Sequence, residues 1–197
     1  MAKQLLYGAT SETAIIVVSA PSVFIQLKNL IVCAMASQAL KVELTYQNSG
    51  EHPMPTINLL EFDHRFGALK EFIHYDFNSP FTLPKELRGK FDSIICDPPF
   101  LSEECQTKGV QPVRSDRKQP TNMRPAAMTV RWLSKQPPGK QDASRVIICS
   151  GERMDSLIHK VYPGCKTTTF EPTHEKSRLH NEFRCYANFE GDAWKWR

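Results

Sequence analysis

The chain has no Cys-x-x-Cys pair, no Cys/His spacing of the zinc type and no long apolar run. Its longest uninterrupted apolar stretch, Leu30 to Ala36, falls far short of the roughly 20 residues a membrane helix needs. The opening Met-Ala-Lys-Gln-Leu-Leu is too short a core for a secretory leader, and Glu12 follows closely behind it. Glycine is sparse, 9 in 197 residues, and shows no G-x-y period, which excludes a collagen-like chain. What is there is an ordinary globular balance: 41% hydrophobic, 23% charged and 10% aromatic, enough apolar material to offset the entropy of ordering. A soluble intracellular domain is the expectation.

Six cysteines raise the question of a disulfide framework. Cys96, Cys149 and Cys185 each sit within or at the end of an apolar β-like run, so they read as reduced, buried small hydrophobes. The histidines are scattered, and no metal site is expected. The net charge of +4 is unevenly placed. From Lys108 to Arg145 there are nine bases and two acids; the rest holds sixteen bases and nineteen acids. A basic loop can grip phosphates, but this excess belongs to one Pro- and Gln-rich segment that reads as a solvated insert. The body of the chain carries a net −3, which argues against nucleic acid.

Strand-like and helix-like segments alternate. Apolar, β-branched runs at 13–19, 57–61, 71–75, 91–96 and 146–149 read as buried strands, with Thr167–Phe170 and Phe183–Ala187 as a final antiparallel pair. Helices are expected at Ala2–Tyr7, from an N-cap at Ser22 through Leu30, and over Glu152–Val161, with short helical turns near 65–69 and 85–88. Repeated strand–helix units give an α/β fold, a mostly parallel sheet with helices on both faces. Such sheets bind ligands at the carboxyl ends of their strands. Here those ends carry Ser19-Ala20-Pro21, then Glu61 or Asp63, then Asp76, then Asp97-Pro98-Pro99-Phe100. A carboxylate there can accept the hydroxyls of a ribose or the amino group of a base.

Asp97-Pro98-Pro99-Phe100 after an apolar strand resembles motif IV of the amino-group methyltransferases, D/N-P-P-F/Y/W. Two prolines fix φ and remove two backbone donors, leaving a stiff turn of carbonyl acceptors. An amine donating to Asp97 and to the Pro98 carbonyl has its lone pair aimed outward, and Phe100 offers a π face to a partly cationic nitrogen. Further blocks widen the resemblance: Val17-Val-Ser-Ala-Pro-Ser-Val-Phe24, Leu59-Leu-Glu-Phe-Asp-His-Arg-Phe66, Cys96-Asp-Pro-Pro-Phe-Leu-Ser-Glu-Glu-Cys105, Gly151-Glu-Arg-Met154 and Asn181-Glu-Phe-Arg-Cys-Tyr186. Together they look like the protein-lysine methyltransferases of translation elongation factor one-alpha, a family formerly described as N6-adenine-specific DNA methyltransferases.

This resemblance implies a seven-stranded class I (Rossmann-like) methyltransferase fold that uses S-adenosylmethionine in the cytoplasm, with a lysine of the elongation factor as acceptor. By position it implies Ser19, Ala20 and Pro21 in the cofactor loop. Glu61 (Asp63 second) would hold the ribose and Asp76 would lie near the adenine, while Asp97 to Phe100 would hold the target amine. One domain over 1–190 is expected, with inserts at about 31–50 and 109–128 and a tail at 191–197. The inserts break the family pattern, and the aromatic segment that the family carries before this point does not appear ahead of Met1. The alternatives are an adenine methyltransferase on DNA or RNA, and a non-catalytic homologue disrupted by its inserts. The tail, with Trp194 and Trp196, reads as frayed.

Overall fold

The structure is a computed structural model that describes residues 1–44, 54–76, 79, 82–97, 125–136, 143–172 and 183–197, with side chains of the second helix described as far as residue 36. Seven strands, β1 (Ala14–Val18), β2 (Thr56–Glu61), β3 (Phe72–His74), β4 (Ser93–Cys96), β5 (Arg145–Gly151), β6 (Lys166–Thr167) and β7 (Phe183–Ala187), form one sheet in the order β3-β2-β1-β4-β5-β7-β6. The first five are parallel to one another. β7 runs antiparallel to both β5 and β6. This is the mostly parallel sheet with a terminal antiparallel pair that the alternation of segments predicts.

Parallel strands buried on both faces read as continuous apolar runs, and β1 is buried at every position. Alternate residues feed two cores. On one face Ile16, Val18, Leu60, Ile94 and Ile148 pack with helices α3 (Pro125–Leu133) and α4 (Asp155–Val161). On the other, Ile15, Val17, Leu59, Ile95 and Ile147 pack with α1 (Ala2–Leu6) and α2 (Pro21–Leu44) through Ala2, Leu5, Phe24 and Leu27.

Several boundaries differ from expectation. α2 begins at Pro21, not after a Ser22 cap; proline suits the first helical position because its missing donor has no partner there anyway. The helix then runs through the first expected insert as far as Leu44. α3 starts at Pro125, so the last four residues of the second expected insert are helical, with Ala126 buried. The rest of that insert, 109–124, and residues 45–50 of the first lie outside the described residues, as do Pro98, Pro99 and Phe100.

The tail is docked, not frayed. Trp194 is 2% exposed, in edge-on contact with Phe170 and tilted contact with Phe189, with its indole N–H donating to the Phe189 carbonyl. Trp196 bridges to Thr168, and its indole donates to the Ala187 carbonyl. The amino-terminal edge of the sheet is also tied down. Asp92 Oδ2 accepts from Ala14 N at 2.9 Å, its Oδ1 lies 3.0 Å from Lys135 Nζ, and its carbonyl accepts from Arg145 N.

Candidate active site

At the carboxyl edge the ladder brings the expected residues level. β1 pairs Val18 with Leu60 on one side and with Cys96 on the other. Ser19 N donates to the Leu60 carbonyl at 2.9 Å and Asp97 N to the Val18 carbonyl at 3.0 Å, so the hydrogen bonding runs one residue past the strand pairs. Glu61, Ser19 and Asp97 therefore lie in one row across β2, β1 and β4, all partly exposed. Glu61 pairs with His74, and two residues beyond His74 comes Asp76, also partly exposed, whose carbonyl accepts from Ser79 N.

Ser19 has φ 54°, the one non-glycine residue with positive φ among those described. A left-handed residue turns the chain sharply from strand into helix. Ala20 is buried beneath that corner, and its carbonyl accepts from both Val23 N and Phe24 N. Sequence reasoning located this corner but could not see its backbone strain.

The two acids at the end of β2 differ in what they hold. Glu61 Oε1 accepts from Phe62 N (2.8 Å) and Asp63 N (3.3 Å), which orients the carboxylate and leaves Oε2 with no hydrogen-bond donor among the described residues. Asp63 caps the 3-10 turn His64–Ala68: Oδ1 accepts from Arg65 N and Oδ2 from Arg65 Nε at 2.7 Å. That hydrogen bond to the guanidinium keeps its carboxyl below the usual aspartate range. The spacing Asp63-x-Arg65 is visible in the sequence, and it signals a turn cap.

Next to Glu61 the structure adds an aromatic group that sequence reasoning missed. Phe62 is 59% exposed and tilts against His74 at 5.6 Å, while His74 stacks on His64 at 4.4 Å with the rings 4° from parallel. A large exposed apolar side chain directly after a strand-end acid was the available signal. Behind β3, Tyr75 Oη and Thr129 Oγ1 share a buried 2.9 Å hydrogen bond, which ties that strand end to α3.

Burial pushes the Cys96 and Cys165 thiols up to about 12, so both behave as the inert hydrophobes expected. No group of three or more His, Cys, Asp or Glu side chains suited to a metal occurs among the described residues. No helix among them is long and apolar enough to cross a membrane.

A family model described as "Probable N6-adenine methyltransferase" matches residues 1–191. The chain is 37% identical over 198 residues to "Protein-lysine N-methyltransferase EFM5" of Saccharomyces cerevisiae, covering 99% of this chain and 68% of that protein. It is 33% identical over 192 residues to "EEF1A lysine methyltransferase 1" of Danio rerio, covering 96% of this chain and 89% of that one. The protein of the same name from Homo sapiens is 30% identical over 192 residues, 96% of this chain and 68% of its own. A strand order with a reversed seventh strand, a strained β1–α2 corner and a row of strand-end carboxylates all agree with these matches: the chain belongs to the family described as N6-adenine methyltransferases, among whose members are named protein-lysine methyltransferases.

Proposed function

We propose that this protein is a cytoplasmic, S-adenosylmethionine-dependent protein-lysine N-methyltransferase whose substrate is translation elongation factor one-alpha. The observation that carries the reading is the single row of Glu61, Ser19 and Asp97, with a conformationally tight corner between an oriented acid and the start of the diproline motif. The names of the relatives supply the acceptor, and they favour lysine over adenine.

The residues present fit the cofactor. The Ser19-Ala20-Pro21 corner brings backbone close to a ligand at the helix start. Glu61 Oε2 accepts a ribose hydroxyl, Phe62 offers a flat apolar face to a base, and Asp76 lies beyond them at the end of β3. Glu61 is preferred over Asp63, because the Asp63 carboxylate already serves Arg65. When bound, S-adenosylmethionine supplies an electrophilic methyl group.

The task left to the chain is to present a neutral amine. A lysine with a reference pKa near 10.4 must lose a proton at a cost of about 3.4 pH units, or roughly 4.6 kcal/mol at neutral pH. Asp97 accepts hydrogen bonds from the entering amine and fixes its direction, while the proton leaves to water. Pro98, Pro99 and Phe100, next in the chain, complete the amine pocket in this reading. Most of the rate then comes from positioning.

The test is transfer of labelled methyl groups to purified elongation factor, followed by peptide mass mapping, with total DNA and RNA as parallel acceptors. Label on a lysine peptide is expected. Label on nucleic acid alone would establish the adenine reading in its place.

A further inference from the structure

Apart from the row of strand ends, the described residues include four buried thiols, Cys96, Cys149, Cys165 and Cys185. Two of them are direct cross-strand neighbours, Cys149 on β5 and Cys185 on β7. Antiparallel ladders alternate hydrogen-bonded and non-hydrogen-bonded pairs. Asn188 N donates to the Val146 carbonyl, which makes 146/188 and 148/186 the hydrogen-bonded positions. The pairs 147/187 and 149/185 are then the non-hydrogen-bonded ones. At such a site the Cα atoms lie about 4.5 Å apart, inside the roughly 4.4–6.8 Å that a disulfide spans. Both side chains point into the core shared with α1 and α2.

We propose that Cys149 and Cys185 form a reversible cross-strand disulfide, a redox site whose co-reactant is a low-molecular-weight disulfide of the glutathione type. Two isolated cysteines in a core pack as small hydrophobes; two that face each other at a non-hydrogen-bonded ladder position already have the geometry of the bond. The Cys185 thiolate attacks one sulfur of the small disulfide, giving a mixed disulfide and one released thiolate. The Cys149 thiolate then attacks the protein sulfur of that mixed disulfide and expels the second. The protein loses two electrons and two protons, and the small disulfide gains them as two thiols. Cys185 attacks first because the neighbouring Cys149 thiol holds its pKa down, whereas Cys185 and burial push that of Cys149 up.

Cys149 is 2% exposed and Cys185 is fully buried, so the reaction waits on a local opening. Part of the cover is Met1, whose sulfur lies 3.3 Å from Cys149 Sγ, with α1 and α2 packed over the same face of the sheet. Because Cys96 pairs with Ile148, Cys149 lies level with Asp97. The redox site adjoins the proposed methyl-transfer site without depending on that assignment.

The test is incubation of the reduced, folded full chain with excess oxidised glutathione, followed by alkylation, digestion and peptide mass mapping. The expected product is a Cys149–Cys185 cross-linked peptide pair, lighter than the reduced pair by two hydrogens and separated again by dithiothreitol. It should persist in Cys33→Ser and Cys165→Ser and vanish in Cys149→Ala. Recovery of both cysteines as alkylated thiols, as separate glutathione adducts or in bridges to other cysteines would overturn the proposal. The wild-type map decides the matter even if the Cys149 variant fails to fold.

Discussion

The amide of Asp97 donates to the carbonyl of Val18 at 3.0 Å. This one bond continues the β1–β4 ladder past the last paired residues and sets the first residue of the diproline motif level with the Ser19 corner. The residue proposed to orient the amine is thus placed by backbone pairing across the sheet.

Replacing that side chain should separate binding from chemistry. In Asp97→Ala, methyl transfer to the elongation factor should be abolished, while cofactor affinity measured by calorimetry stays close to wild type. Asp97→Asn keeps an acceptor of the kind that the D/N-P-P motif allows, and it should retain measurable transfer. Full activity in the alanine variant would refute the proposed role.

Glu61→Ala should act on the cofactor. Losing a charge-assisted hydrogen bond of about 1.5–3 kcal/mol raises the dissociation constant by about tenfold or more. Asp63→Ala should leave that constant nearly unchanged and lower the thermal midpoint, since its carboxylate caps the following turn. Reversed phenotypes would exchange the two assignments.

Ser19 holds a left-handed conformation at φ 54°, which costs a non-glycine residue on the order of 1 kcal/mol. Ser19→Gly should therefore raise the midpoint of thermal unfolding. Ser19→Val, β-branched and worse suited to this region, should lower it. A melting series on the two variants checks the sign of both effects.

Acid should reveal the tie between α2 and the start of β3. Burial alone would raise the Glu71 carboxyl, but Lys28 Nζ at 3.0 Å, helped by the residue's own backbone N–H and by Lys70, outweighs it and holds the group below its ordinary value. A carboxyl depressed by folding stabilises the protein at every pH above its unfolded value, and that contribution disappears as pH falls through the folded one. Lys28→Met should therefore be less stable than wild type at neutral pH, with the difference closing toward about pH 3. Urea midpoints at the two pH values measure it.

Removing Trp194 should be costly. A buried indole replaced by alanine loses about 3–5 kcal/mol, so Trp194→Ala should shift the urea transition much further than Trp196→Ala. Equal shifts would mean that the tail is less firmly seated than its packing against Phe170 and Phe189 indicates.

The strands were legible because a sheet covered on both faces needs runs such as Ile15-Ile16-Val17 and Ile147-Ile148, and few other elements use them. The placement of Glu61, Asp76 and Asp97 at the strand ends was legible for a related reason: polar residues that close such runs fall on the carboxyl edge, where sheets of this class bind ligands. The docked tail was not. Its slot is assembled from Phe170 and Phe189, and no local pattern announces that they will meet Trp194. The roles of Asp63 and Glu61 were undecided for a similar reason, since only coordinates show which carboxylate Arg65 occupies. The length of α2 was missed because an apolar segment without punctuation gives no stop signal before Leu44.

The Asp92 clasp lies at the opposite end of the strands from Ser19 and Asp97, joining Ala14, Lys135 and Arg145 where β1, β4 and β5 begin. The clasp and the proposed reactive residues thereby fall on different rims of the same sheet. Variation at one rim can retune which molecules are accepted while the other continues to hold the architecture, a division of labour that leaves room for relatives to diverge in what they modify without having to refold.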